Sequence, residues 1–398
     1  MSQKLIISAV FPPEPVVSAK LSFDIANTLS ENYSITVVCP KPSRPYGFRF
    51  NATGLNFNFN YIQVRSFICA SSSILGRFRE SFSFGIHCYR HIANNHQNID
   101  VIYANTWPLL GQYFAVKAAT KYKIPIVLHV QDIYPESISN KLPLAKSFFN
   151  SILLPLDKYI LKNSNQVIAI SQKMKEYLVK TRKLDNKKIS VIPNWQDEGC
   201  FPQQSKQEII SEKSLFTFMY LGNIGPVAGL DLLLSAFSLA DLKQSQLVIA
   251  GSGSSKVNLI KQATNLTHST IEFWDVPEGK VPEIQSKADV LILPVKKGSA
   301  STSIPSKLPA YMFSSKPIIA SVDMESDTAD AVIKSQCGWV IEPGNIEKLA
   351  DLMKESVSIS KETLQQMGEN GRKYALENYS KKNNLKKIIE LITSTASK

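Results

Sequence analysis

Short apolar runs alternate with amphipathic segments along most of this 398-residue chain, and no other feature constrains its fold as strongly. In the first half, the apolar runs occupy residues 4–10, 34–39, 101–104, 126–130, 166–171 and 189–192. Segments 18–30 and 110–121 lie between such runs and have the pattern of helices. Strands that are apolar on both faces and are separated by helices are typical of a parallel sheet with helices on both sides.

A polar, irregular stretch at residues 193–208 interrupts this pattern, which then resumes. The apolar runs of the second half occupy residues 215–221, 246–250, 271–273, 290–293, 317–321 and 338–341. Because a typical domain has about 100–200 residues, we predict an α/β fold of two doubly wound, Rossmann-like domains that face each other across a cleft. The predicted parts are a first domain at 1–195, a linker at 196–210, a second domain at 211–378, and a terminal helix at 381–398 that packs back onto the first domain.

Basic residues outnumber acidic residues by 45 to 33, which gives a formal net charge of +12. This charge favours anionic partners, but no helix-turn-helix, zinc-finger or RNP-type signature indicates nucleic acid. No apolar run reaches the roughly 20 residues of a membrane-spanning helix. Pro12 and Pro13 cut short the apolar N-terminal run, which we interpret as a buried strand rather than a signal peptide. The five scattered cysteines predict neither a disulfide framework nor a metal site, so we expect a cytoplasmic protein.

A glycine-rich loop follows the first strand of the second half, in the sequence YLGNIGPVAG at residues 220–229. Gly222 and Gly225 would let the backbone approach a ligand, and the N–H groups around Asn223 could surround a phosphate. Gly251 follows the next strand and would lie at the same edge of the sheet. The spacing is not GxGxxG, which disfavours a nicotinamide cofactor. The alternative is an ordinary loop between a strand and a helix.

A second loop, at residues 297–307, is rich in Gly, Ser and Thr and precedes a predicted helix. We interpret Ser303 as the N-cap and Pro305 as part of the first turn, with Lys307 one turn into the helix. A helix N-terminus and a lysine would together stabilise an anion such as a diphosphate. The hydroxyls of Thr302 and Ser306 lie beside it in sequence. The alternative is that Lys307 is a solvated surface residue.

Polar residues also follow the strands of the first half. His129 and Asp132 end the run IVLHVQD, and either side chain could orient or deprotonate an acceptor hydroxyl. The alternative for His129 is a buried residue with satisfied hydrogen bonds. Glu14, Ser18 and Asn105 follow other strands and are expected at the same edge of the sheet.

The motifs of the whole chain, taken in order, resemble the retaining family 4 glycosyltransferases of the GT-B fold. The resemblance is carried by FPPEP, IVLHVQDIYPE, VIPNWQD, YLGNIGPVAGLDLLLSAF, LVIAGSGS, SIPSKLPAYM and CGWVIEPGNIEKLADLM. The PNWQD, GNIG and PSK forms are similar to a fucosaminyltransferase (FucNAc) subgroup from bacterial surface-polysaccharide clusters.

The resemblance implies that the second domain binds a nucleotide sugar, such as a UDP-sugar, and that the first binds the acceptor. The implied acceptor is a polyprenyl-diphosphate-linked saccharide used in O-antigen, capsule or exopolysaccharide synthesis, and neither a metal nor a cofactor is implied. Two features of the family are absent. Its pair of Glu residues falls here on Thr302 and Ala310, and the loop at 222–229 has no basic residue. Lys307 is therefore the expected cation for the diphosphate, and Asp132 with His129 would orient the acceptor.

Two segments of the first domain are expected to lie on an anionic membrane, at the inner face of the cytoplasmic membrane. Residues 65–90 interleave Arg and Phe, and residues 141–162 are apolar with Lys at their margins. The alternative is that these are helices packed on the sheet. Two other functions remain open: a nucleotide-sugar epimerase on the same fold, and a catalytically silent, membrane-associated partner of other transferases.

Overall fold

The structure is a computed structural model that describes residues 3–44, 50, 56–69, 73–105, 109–139, 146–201, 215–226, 228–266, 270–296 and 305–396. The chain forms two compact units, Met1–Asn194 with Asn384–Lys398, and Trp195–Asn383. Each unit contains one parallel sheet flanked by helices. The predicted α/β class with two parallel-sheet units is therefore confirmed.

The first unit is built on a seven-stranded parallel sheet with the order β3-β2-β1-β4-β5-β6-β7. Its strands are β1 (Gln3–Ser8), β2 (Ile35–Pro40), β3 (Asn60–Val64), β4 (Ile99–Asn105), β5 (Ile126–Val130), β6 (Gln166–Ala169) and β7 (Ile189–Val191). The order changes direction between β1 and β4, which is the point where ligands bind in open α/β sheets, at the carboxyl ends of the strands. The side chains that follow β1 and β4 therefore lie at the expected ligand-binding edge, and those that follow β5 lie beside them.

Helices cover both faces of this sheet. They are α1 (Val17–Ser30), α2 (Ile74–Asn95), α3 (Leu109–Tyr122), α4 (Glu136–Ser139), α5 (Lys146–Asn163) and α6 (Gln172–Arg182). Helix α3 packs against both α2 and α5. Within the described residues, no helix combines the length and the apolar character that crossing a bilayer requires.

The second unit has a six-stranded parallel sheet with the order β10-β9-β8-β11-β12-β13. Its strands are β8 (Phe216–Leu221), β9 (Ser245–Ala250), β10 (Thr270–Trp274), β11 (Val290–Pro294), β12 (Ile318–Ser321) and β13 (Gly338–Ile341). The helices are α7 (Leu230–Ala240), α8 (Lys256–Ala263), α9 (Val281–Ser286), α10 (Lys307–Phe313), α11 (Asp327–Ser335), α12 (Ile346–Ser358), α13 (Lys361–Asn378) and α14 (Lys381–Ala396). Helix α14 begins in this unit and belongs to the first unit from Asn384 onward.

In the second unit, successive residues of a strand enter different cores because side chains alternate across a sheet. Ile318 and Ala320 lie in one core of the second unit, whereas Ile319 between them lies in the other. Both faces of β12 are therefore buried, which explains why three consecutive apolar residues begin it. The change of direction in this sheet falls between β8 and β11, so the loops after these strands lie at the expected ligand-binding edge.

The start of the polar stretch at 193–208 is packed rather than irregular. Trp195 and Phe201 are buried, and the Phe201 ring stacks on Phe313 at a centroid distance of 5.7 Å. Glu198 accepts a hydrogen bond of 2.6 Å from Ser380. Residues 195–201 are therefore part of the second unit, and residues 202–214 of the predicted linker lie outside the described residues.

Candidate functional site

Two glycine loops of the second unit lie side by side at the carboxyl ends of β8 and β9. The N–H of Gly222 donates to the carbonyl of Ala250 at 3.0 Å, and the N–H of Ile224 donates to the carbonyl of Ser252 at 2.8 Å. A Cβ added to Gly251 would lie only 2.1 Å from the carbonyl oxygen of Gly222. Gly251 also has a φ of +131°, so glycine is required where the two loops meet.

Lys307 lies directly against the first of these loops. A Cβ at Gly222 would be 2.1 Å from Cε of Lys307 and 3.2 Å from its Nζ, so the lysine side chain occupies the space that the glycine leaves. The ammonium group also lies 5.4 Å from the centre of the Tyr220 ring. The structure thus brings together the two segments from which the sequence predicts anion binding.

The environment of Lys307 suits an anionic ligand. Burial lowers the pKa of Lys307 from its ordinary value of 10.5. No acidic side chain pairs with Lys307 among the described residues. A desolvated cation without a counter-charge is costly, and a bound anion would remove that cost. On the glycine loop that Lys307 contacts, the backbone N–H groups of Asn223 and Gly225 donate to no other described group. They therefore remain available to ligand oxygens.

The helix that carries Lys307 starts later than the sequence suggests. Helix α10 begins at Lys307, and its N-cap is Ser306, whose side chain makes no capping hydrogen bond. The expected N-cap at Ser303 is therefore wrong, and Pro305 precedes the helix instead of lying in its first turn. Ser303 and Thr302 lie outside the described residues. The closeness of Lys307 to the glycine loop, rather than its depth in the helix, supports its role.

Tyr311 is a supporting residue of this site that the sequence interpretation missed. Its buried hydroxyl accepts a hydrogen bond from the N–H of Leu221 at 2.8 Å and donates one to the carbonyl of the same residue at 3.0 Å. Strand β11 pairs with β8 only as far as Met219, so the backbone groups of Leu221 need another partner on that side. Tyr311 follows Lys307 by one helical turn, which is the signal that could have identified it.

Lys296 is a second cation beside the glycine loop. Its Cγ lies 3.9 Å from the position of a Cβ on Gly229, at the other end of the loop from Lys307. Lys296 also borders a small cavity of about 20 Å³, together with Ser321 and Asn345. Lys296 is the second residue after β11, so the same search for polar residues at strand ends could have found it.

His129 of the first unit is a buried structural residue. Its Nδ1 lies 2.6 Å from the hydroxyl of Tyr103, and its Nε2 lies 3.1 Å from Nε2 of Gln131. Burial lowers the pKa of His129 to about 3, so the ring is neutral at physiological pH. The expectation that His129 touches the acceptor is therefore corrected, because the side chain is completely enclosed.

Hydrogen bonds connect His129 through Gln131 to Asn194. Asn194 donates from Nδ2 to Oε1 of Gln131 at 2.8 Å, and this fixes the Gln131 amide so that its nitrogen donates to His129. His129 consequently donates from Nδ1 to Tyr103. The chain of polar groups holds the carboxyl end of β5 in place, and Asp132, two residues beyond that end, is exposed.

A buried guanidinium fixes the segment that follows Asp132. Arg182 donates to the carbonyl of Tyr134 at 2.6 Å and pairs with Glu136 and Asp157 at 2.7 Å each. Tyr177 donates a further hydrogen bond of 2.6 Å to Glu136. Asp132 is thus an exposed carboxylate between two anchored residues. Gln131 before it bonds to Asn194, and the carbonyl of Tyr134 after it bonds to Arg182.

Two of the other expected acceptor residues, Glu14 and Asn105, make hydrogen bonds within the first unit. Glu14 is buried and accepts hydrogen bonds from the backbone N–H groups of Phe11, Ser43 and Arg44 at 3.1, 2.8 and 2.9 Å. Its carboxylate is thus occupied by backbone donors, and the expectation that Glu14 contributes to the acceptor side stays a prediction. Asn105 is buried too, and its amide donates to Ser22 at 2.9 Å and to the carbonyl of Ser18 at 3.4 Å. Asn105 and Ser18 are thus brought together, and Oδ1 of Asn105 has no partner in the described chain.

Comparison with known proteins identifies the family of each half. The model described as Glycosyltransferase Family 4 matches residues 19–198, and the model described as Glycosyl transferases group 1 matches residues 202–374. The chain belongs to the family 4 glycosyltransferases. A curated relative, the Pseudomonas aeruginosa protein named Probable glycosyltransferase WbjE, is 24% identical over 306 residues, which cover 74% of each chain.

Solved structures agree on the fold of this glycosyltransferase. Anabaena HepE in complex with UDP has a TM-score of 0.72 at 16% identity and covers 98% of this chain and 100% of its own. WaaG, a glycosyltransferase involved in lipopolysaccharide biosynthesis, has a TM-score of 0.67 at 16% identity, with 98% and 99% coverage. At such identities the likeness concerns the fold alone.

Proposed function

We propose that this glycosyltransferase moves a sugar from a nucleotide diphosphate donor to a lipid-linked saccharide, with retention of configuration and without a metal. The single observation that carries the proposal is the contact between Lys307 and Gly222 in the second unit. It joins a partly desolvated cation to a loop with available N–H groups, and this combination suits the diphosphate of a sugar nucleotide.

The chemical role of this site is to stabilise the leaving group. Negative charge develops on the diphosphate as the bond to the sugar breaks, and preorganised donors aimed at that charge lower the barrier. Lys307 supplies a full positive charge, and Lys296 adds a second at the other end of the glycine loop. These two lysines stand in for the basic residues that the loop itself lacks, so the protein supplies the charge that a metal would otherwise provide.

On the acceptor side, Asp132 is the carboxylate best suited to orient a hydroxyl. It is exposed, it follows β5 at the carboxyl edge of the sheet, and its segment is held by the bonds of Gln131 and Arg182. A carboxylate in such a position can accept a hydrogen bond from the attacking alcohol. His129 contributes by holding the end of β5.

Surface-polysaccharide synthesis is the pathway class that we propose, with a UDP-linked N-acetyl-fucosamine-type sugar as the donor. The support comes from the motif forms of the sequence, from HepE, whose structure contains UDP, and from WaaG, which is described as acting in lipopolysaccharide biosynthesis. The lipid-linked acceptor would be held at the inner face of the cytoplasmic membrane.

An aromatic face on the first unit supports the membrane assignment. The face is defined by Phe82 of α2, Tyr113 and Phe114 of α3, and Phe148, Ile152 and Tyr159 of α5. Ring contacts connect Phe82 to Phe114 at 5.4 Å and Tyr113 to Tyr159 at 5.6 Å. Lys117 lies 5.4 Å from the Tyr113 ring, so cations accompany the apolar surface. Exposed aromatic groups with nearby cations suit an anionic lipid surface.

Replacing Lys307 tests the donor site. We expect Lys307→Ala to weaken UDP binding at least tenfold, because a charged hydrogen bond contributes about 1.5–3 kcal/mol, and to reduce sugar transfer by orders of magnitude. Lys280→Ala is the matched control, since Lys280 is an exposed lysine of the same unit that pairs with Glu283. Calorimetry with UDP and release of UDP in the presence of acceptor are the measurements.

Each alternative function gives a different result in these assays. Normal UDP affinity and transfer in Lys307→Ala would refute the proposed site. Conversion of the nucleotide sugar in the absence of acceptor would indicate an epimerase. UDP binding without transfer to any acceptor would indicate a silent partner, which the absence of carboxylates at Thr302 and Ala310 would then explain.

A further inference from the structure

A groove of about 410 Å³ opens on the first unit beside the aromatic face. It is lined by Phe67, Phe78, Arg79, Phe82, Ser83 and Leu110. Its volume lies within the range of about 300–1,000 Å³ that is usual for small-ligand sites. The groove is remote in sequence from the glycine loops, and neither the diphosphate site nor Asp132 contributes to it.

The wall of the groove is a loop held firmly against α2. The N–H of Phe67 donates to Oγ of Ser83 at 3.0 Å. Cys69 is buried against Gly76 of the helix, where a Cβ would lie only 2.1 Å from the cysteine sulfur. Glycine at position 76 therefore permits the close approach of the loop. The loop side of the groove is therefore attached to α2 by a hydrogen bond and by a close contact.

The lining combines hydrocarbon surfaces with one cation. Three phenyl rings and a leucine form the walls, while the guanidinium of Arg79 stacks over the Phe67 ring at 4.8 Å. The neighbouring Arg44 and Arg77 both pair with Glu80, at 2.8 and 2.9 Å. Arg79 has no acidic partner among the described residues, so positive charge remains at the groove.

We propose that this groove binds the first part of the hydrocarbon chain of the lipid-linked acceptor, with Arg79 paired to the lipid phosphate. The proposal rests on the proposed function and adds the subsite that recognises the lipid. A phosphate-headed isoprenoid matches both the apolar walls and the cation, whereas a sugar nucleotide would leave the phenyl rings without a partner. Phe82 belongs to both the groove and the aromatic face, so a chain could pass from the membrane into the groove without crossing water.

Binding of farnesyl diphosphate to the full chain tests the groove without any glycosyl transfer. We expect measurable binding by the wild type and a loss of about tenfold or more in both Phe82→Ser and Arg79→Gln, since each removes a contact with one part of the probe. Leu75→Ser is the matched control. Leu75 lies on the same helix and is 79% exposed, compared with 48% for Phe82, but it does not line the groove. This variant should bind the probe like the wild type.

Several results would overturn the assignment. These are no binding of farnesyl diphosphate by the wild type, unchanged binding by Phe82→Ser, or an equal loss in Leu75→Ser. Equal binding of dodecyl phosphate, lost in the same variants, would indicate a groove for ordinary acyl lipids and would also overturn it. UDP affinity is measured in every variant as the check on folding.

Failure of the groove and failure of the proposed function are distinguishable. If farnesyl diphosphate binds as expected but no acceptor receives a sugar, the groove stands and the transferase proposal fails. If transfer to a polyprenyl-linked acceptor has the same KM in Phe82→Ser as in the wild type, the transferase proposal stands and the groove fails.

Discussion

At the scale of one residue, Lys307 shows how a side chain that we propose to bind an anion can reduce stability. Its pKa is lowered by burial, and no described acidic group compensates its charge. The unfolded chain, with a pKa near 10.5, therefore binds more protons than the folded protein between the lowered pKa and 10.5. The free energy of unfolding should rise with pH across this window. Below the window, the folded protein bears the full cost of burying the charged lysine.

Replacing this lysine by methionine should separate stability from function. Lys307→Met keeps the apolar stem against Gly222 but removes the partly buried charge, so we expect the melting temperature at neutral pH to rise by a few degrees while UDP binding is lost. The difference in melting temperature between Lys307→Met and the wild type should shrink as the pH approaches 10.5. Differential scanning fluorimetry at several pH values checks this. A lower melting temperature for Lys307→Met than for the wild type at neutral pH would show that desolvation of the Lys307 ammonium group does not reduce stability.

At the scale of secondary-structure elements, Arg182 connects α6 to α4, α5 and the segment after β5. Its guanidinium is buried and bonds to Glu136, Asp157 and the carbonyl of Tyr134. Arg182→Met would leave two poorly solvated carboxylates without their partner, and the expected loss is about 3–5 kcal/mol in the free energy of unfolding.

Tyr177→Phe serves as the control for Arg182→Met in chemical denaturation. It removes a single hydrogen bond to Glu136 and keeps the guanidinium, so the expected loss is only about 1 kcal/mol. Similar losses in the two variants would mean that the ion pairs themselves contribute little to stability.

The elements also show which parts of the fold a sequence can predict. Strand β5 was located to the residue because IVLHV is buried on both faces and is apolar around a single histidine. Strand β3 was missed because it is an edge strand, whose sequence NYIQV mixes polar and apolar residues and has no fully buried position. Continuous apolar runs predict central strands, whereas an edge strand is recognised only by its pairing with β2.

The candidate site was predictable to the extent that it depends on strand ends. The carboxyl ends of parallel strands share one edge, which is why Gly222, Gly251 and Lys307 could be grouped from sequence. The burial of His129 and Glu14 was not predictable, because it depends on which loops and helices cover each strand end. The same holds for the start of α10 at Lys307, since several serines before it could act as a cap.

At the scale of the whole molecule, the excess of positive charge and the aromatic face predict binding to anionic membranes. The net charge is +12, and the face exposes Phe148 and Ile152 at 64% and 55%. We expect the protein to sediment with vesicles that contain anionic phospholipid at low salt. Binding should weaken strongly near 1 M salt, where the Debye length is about 3 Å. Neutral vesicles should retain much less protein.

Two pairs of serine substitutions separate the aromatic face from general surface adhesion. Phe148→Ser with Ile152→Ser should reduce vesicle binding about tenfold or more, because each side chain would otherwise bury its apolar surface in the lipid interface. Val257→Ser with Leu239→Ser is the matched control in the second unit, since these residues are 65% and 51% exposed. Equal losses in the two pairs would show that exposed apolar side chains bind lipid wherever they lie. A loss confined to the first pair assigns membrane contact to α5, and retention of UDP affinity in that variant would show that the donor site does not depend on it.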